Sequence, residues 1–111
     1  MDAVHEALGV EPDGLLFVRD VYVSEWGRTV RLSCIYRLSP SAGQLLTITF
    51  YECRELKWRI YALDDGRDEA AVVEARLGRG GHRSPAHLLT DRFGLTLTYG
   101  ELLVQPAGDA P

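Results

Sequence analysis

LLTITFYECRELKWRIYA, residues Leu45 to Ala62, keeps one parity from end to end. Its even positions Leu46, Ile48, Phe50, Leu56, Trp58, Ile60 and Ala62 are apolar, whereas its odd positions Thr47, Thr49, Tyr51, Glu55, Lys57 and Arg59 are mostly polar. Alternate side chains of a strand leave opposite faces, so a period of two marks a half-buried sheet element with its even residues inward. The parity persists across Glu52, Cys53 and Arg54. The chain must therefore either bend there without changing face or break and restart in phase.

The run before it, Thr29 to Leu38, places Val30, Leu32, Cys34, Tyr36 and Leu38 on one side and Thr29, Arg31, Ser33 and Arg37 on the other, with Ile35 the exception. Ser39-Pro40-Ser41-Ala42-Gly43 then has the composition of a loop. An antiparallel pair that sets Leu38 against Gln44 also sets Tyr36 against Leu46, Cys34 against Ile48 and Leu32 against Phe50, all on one apolar face. In that register Cys53 lies on the opposite face from Cys34, beyond disulfide reach. Two reduced cysteines are expected, with Cys34 acting as a small core hydrophobe.

Further upstream, Leu15 to Val23 alternates weakly. Leu15, Phe17, Val21 and Val23 share the inward side with Arg19, and Leu16, Val18 and Tyr22 share the outward side with Asp20. Glu25-Trp26-Gly27-Arg28 reads as a hairpin loop. The first ten residues suit a short helix capped by Asp2 and stopped by Gly9, followed by a turn at Pro12-Asp13-Gly14.

Downstream, Leu63 to Asp68 is a turn with an Asp-Gly signal. Glu69 to Leu77 fits a helix or a strand; the strand is preferred because its neighbours are strands, with Ala71, Val73, Ala75 and Leu77 on one face. A Gly-rich loop, Gly78 to Pro85, separates it from short strands at Ala86–Thr90, Phe93–Tyr99 and Leu102–Gln105, and residues 106–111 are expected to form a mobile tail. The sum is an all-β chain with one short N-terminal helix. Residues 1–105 are expected to make a single antiparallel meander, rolled into a small barrel or folded as a sandwich.

Composition bounds the function. A length of 111 residues, 46% apolar and 25% charged, is that of an ordinary globular domain with one core. A net charge of −4 disfavours a nucleic-acid binder, which needs clustered Lys and Arg to displace counterions. No stretch approaches the roughly 20 apolar residues of a membrane span, and the N-terminus lacks the pattern of a signal peptide, so no membrane contact and a cytoplasmic location are expected.

Few residue constellations carry chemistry. Gly78 to Pro85 joins three glycines to Arg79, His82 and Arg83, with His87 just beyond, a composition able to hold a phosphate or carboxylate. It lacks the lysine and following helix of a phosphate-binding loop, and an exposed connection is the plainer reading. His82 and His87 do not have metal-ligand spacing, and Asp64, Asp65, Asp68 and Glu69 do not have that of a calcium loop. Neither a metal nor a cofactor is expected. Cys53 lies beside Arg54 and near Lys57, but no histidine base is placed near it.

Trp26 at a hairpin tip suits either a contact surface or a ring folded back over the end of the sheet. Leu16, Val18, Tyr22, Ile35, Tyr51 and Tyr61 all fall on the outward side and, if contiguous, call for a second layer or a partner. The expectation is a non-enzymatic protein-interaction or oligomerisation module, a homodimer included, built on that face and Trp26. The alternative is a small-molecule or anion binder, enzymatic or not, built on Arg79, His82, Arg83 and His87. The run of short strands with a Tyr99-Gly100 turn near its end is similar to small bacterial β domains, immunity-type proteins among them. That likeness is one of pattern and transfers no functional residue.

Overall fold

The computed structural model describes residues 14–39, 42–61 and 69–109. They form eight strands: β1 (Leu15–Ser24), β2 (Thr29–Ser39), β3 (Ala42–Tyr51), β4 (Leu56–Ile60), β5 (Ala70–Arg76), β6 (Ala86–Thr90), β7 (Phe93–Leu97) and β8 (Glu101–Asp109). All pair antiparallel in one sheet of order β4-β7-β6-β5-β1-β2-β3-β8. The sheet is open, with β4 and β8 at its edges. The helix expected over the first ten residues lies outside the described residues, among which the only helical element is a 3-10 turn at Glu25–Gly27.

The Leu45–Ala62 stretch breaks and restarts. Glu52 takes a left-handed backbone, φ 58°, and ends β3. The chain then crosses from one side of the sheet to the far edge, where β4 pairs with β7. Parity is kept across the break. Leu46, Ile48 and Phe50 are buried, and Leu56, Trp58 and Ile60 stand opposite the buried Leu97, Leu95 and Phe93.

Two halves of the sheet share one core. Leu16, Val18, Val30, Leu32, Cys34, Tyr36, Leu46, Ile48 and Phe50 from β1–β3 pack with Ala70, Ala75, Ala86, Phe93, Leu95 and Leu97 from β5–β7, joined by Cys53 and Tyr99. The Phe50 and Tyr99 rings meet edge to face at 5.0 Å. Only two residue pairs, Phe17 with Ala71 and Val18 with Ala70, join β1 to β5, so the sheet folds along this seam.

The β2–β3 pairing is displaced by two residues from the expected register. Cys34 faces Leu46, Leu32 faces Ile48 and Val30 faces Phe50, because β2 continues past an irregularity at Leu38 and Ser39 pairs directly with Ala42. A shift of two preserves every facing, whereas a shift of one would have reversed them all.

Bulges did reverse facings elsewhere. In β1 the register skips Arg19, so the parity on its two sides differs. Leu16 and Val18, expected outward, are core residues, while Tyr22 remains outward as read. In β5 a second skip at Val73 turns that residue to solvent and leaves Ala70 and Ala75 inward. The tail also needs correction. β8 runs to Asp109, with Pro106 opposite Leu46, so residues 106–109 belong to the sheet.

Candidate functional site: an apolar edge and its groove

The Gly-rich loop is tied down by its own backbone. Gly81 and His82 donate their N–H groups to the carbonyls of Gly100 and Tyr99, both at 2.8 Å, and Arg79 donates to Ser84. Gly78, at φ +65°, passes so close to Pro85 that an added Cβ would sit 2.4 Å from its carbonyl oxygen. An anion nest needs free, convergent N–H groups, and these are already engaged. Arg79 and Arg83 are exposed, His82 is half-buried, and His87 in β6 places Nδ1 2.9 Å from the Thr96 hydroxyl. Of the two concavities described below, one touches His87 alone of the four and the other touches none. Among the described residues no group of three His, Cys, Asp or Glu is arranged to hold a metal ion.

Both cysteines are buried free thiols. Burial pushes Cys34 up to about 12. Cys53 is also raised, first by burial, with a backbone hydrogen bond from Val30 opposing, and its Sγ donates to the Phe50 carbonyl at 3.4 Å. A nucleophilic thiol requires the reverse shift, so the cations beside Cys53 in sequence do not activate it.

The outward apolar set divides. Leu16 and Val18 leave it for the core, and Ile35 is 2% exposed even though it faces away from the core, between Phe17 and Leu45. Tyr22 lies beneath the Arg31 guanidinium, 5.0 Å from the ring centre. Tyr61 covers Gly94, where an added Cβ would fall 2.5 Å from the phenol oxygen. Tyr51 is only just exposed. Trp26 is wholly exposed and does not fold back; Glu25, Trp26 and Gly27 all have positive φ.

A row of exposed apolar side chains lies on β4. Leu56, Trp58 and Ile60 point to the core side, yet they are 37%, 45% and 68% exposed, because among the described residues β4 is the last strand and no further strand pairs with it. Trp58 stacks on Phe93 at 4.5 Å and 15° and leaves its other face open. A groove of about 400 Å³ runs between Trp58 and Phe93 on one wall and Val18, Val21 and Val23 on the other, with Arg19 and Asp20 at its rim. The hairpin tip adjoins the start of β4, since a Cβ on Gly27 would meet Leu56 at 4.0 Å. The interior gap between the two halves, by contrast, offers only about 20 Å³ among Leu32, Phe50, Leu77 and their neighbours, room for no more than one water.

The backbone of β4 is equally open. Tyr61 donates to Arg92 and Thr98 donates to Glu55, so the odd residues bond toward β7. In an antiparallel ladder the alternate residues then turn their N–H and C=O groups the other way, which leaves those of Leu56, Trp58 and Ile60 at the free edge. Lys57 and Arg59 stand exposed on the opposite face. The alternation of β4 was legible in the sequence. Its edge position was not, and the only local hint was the pair of cations, which edge strands favour.

The chain matches no family model, no curated protein and no solved structure. Among the described residues no helix is long and apolar enough to cross a membrane.

Proposed function

We propose that this chain is a non-enzymatic protein-binding module, and that its contact surface is the β4 edge, the groove beneath it and the Trp26 tip. In this reading the folded sheet acts as a half-closed sandwich whose open side receives the partner. The observation that carries it is the row Leu56, Trp58 and Ile60, exposed on a strand whose other backbone edge pairs with no strand among the described residues. Free strand edges template pairing with another chain, and natural proteins usually cover or blunt them. Trp26 supports the same surface, because an exposed tryptophan held in a left-handed turn has a steric cost that packing within the chain does not offset. The anion-binding alternative has less support, since the N–H groups of Arg79, Gly81, His82 and Ser84 in loop 78–85 are used internally.

The reading is tested by selecting ligands from a random-peptide library against the purified chain, with counterselection on a Trp58→Glu, Ile60→Glu variant that folds normally. Enriched peptides should slow amide exchange at residues 24–28 and 56–60. A library that yields no binder discriminating the two proteins would remove the proposal.

A further inference from the structure

We infer that the occupant of the β4 edge is an extended segment that alternates apolar with acidic residues and adds as a ninth strand. This deepens the protein-binding reading and rests on it. Three observations on one element converge. Among the described residues the N–H and C=O groups of Leu56, Trp58 and Ile60 are those left at the edge that no strand pairs, so an incoming strand bonds to the even residues. Side chains opposite those residues enter the core side, where the groove is walled by Trp58, Phe93, Val21 and Val23 and favours apolar groups. Side chains opposite Lys57 and Arg59 lie on the other face beside two cations, and directly opposed residues on one face interact most strongly. Apolar, acidic, apolar, acidic, apolar is the pattern that satisfies all five positions.

Charge complementarity also selects against the simplest rival, a second copy of this chain paired through β4. The antiparallel register that overlaps all five residues sets Lys57 against Arg59 of the other copy, and Arg59 against its Lys57. Two like-charge pairs then oppose a dimer on the very residues that would form it. A partner strand bearing Glu or Asp at those positions changes both signs.

The test uses the whole chain and three synthetic peptides of one length: valine alternating with glutamate, valine alternating with lysine, and the glutamate peptide in scrambled order. Binding is read by amide exchange and by titration at low and high salt. The alternating acidic peptide should bind roughly tenfold or more tighter than the basic one, since two cross-strand pairs change sign, and should weaken as salt rises. It should slow exchange at Leu56, Trp58 and Ile60 and leave Lys57 and Arg59 unchanged. A Lys57→Glu, Arg59→Glu variant should prefer the basic peptide.

Equal binding of the acidic, basic and scrambled peptides, or protection away from β4, overturns the inference. If library-selected ligands bind this edge while the acidic peptide does not, the acidic alternation fails and the protein-binding reading stands. If neither binds, both fail.

Discussion

Cys34 shows how much a single buried atom can report. Its thiol is fully buried and pushed up to about 12, so the native state holds its proton where an unfolded chain would release it. Above about pH 8.5, where free thiols ionise, the unfolded state binds fewer protons than the native state, and stability falls as pH rises, by about 1.4 kcal/mol per pH unit. Denaturant unfolding between pH 8 and 11 should show this alkaline slope, and Cys34→Ala, less stable at neutral pH, should show a shallower one. The slope stays the same in the variant only if Cys34 is not the group responsible. Phe50 and Trp58 separate in the same way by burial. Phe50→Ala should cost about 3–5 kcal/mol, as expected for an enclosed ring. Trp58→Ala should cost about 1–2 kcal/mol, because half its surface never leaves water. Trp26→Asn should leave the unfolding midpoint unchanged or a few degrees higher, since asparagine tolerates the left-handed backbone, while weakening any partner contact.

At the scale of the element, what could be read in advance was phase, and what escaped was its interruption. The strand at Ala70–Arg76 is present, although its residues also suited a helix. Its facing changes at Val73, and that of β1 changes at Arg19, because a bulge inserts one unpaired residue and exchanges the two sides. Nothing in LLFVRDVYV marks the insertion, which is set by how β1 must serve β2 and β5 together. This is why Leu16 and Val18, outward by simple alternation, are core residues, and why the outward patch expected to meet a partner loses its centre. The Gly78 loop offers a direct check. Gly78→Ala forces a Cβ toward the Pro85 carbonyl at positive φ and should lower stability by about 1–3 kcal/mol in denaturant unfolding. A neutral result would mean that the hairpin joining β5 and β6 is not pinned there.

Across the whole molecule, the decisive feature is the fold of one open sheet on itself, which buries the inner face of β3 and leaves that of β4 uncovered. If Lys57 and Arg59 keep copies of the chain apart, the Lys57→Thr, Arg59→Thr variant should self-associate at concentrations where the parent does not, as sedimentation velocity over a concentration series would reveal. Equal behaviour of the two would show that these cations do not guard the edge. The sequence by itself determined the strand content and the inward parity of residues 46, 48 and 50 beside 32, 34 and 36, because each follows from local alternation and from facing that survives a two-residue slip; both thiols are free as expected, although Cys53 joins Cys34 in the core rather than lying on the opposite face. Only the tertiary structure decided that LKWRI forms one edge of the sheet while LLTITFY lies one strand in from the other. Alternation states which side of a strand is apolar, but whether another strand covers that side depends on contacts between residues far apart in the chain. The apolar row on β4 is therefore written in the sequence, and its exposure is a property of the assembled sheet.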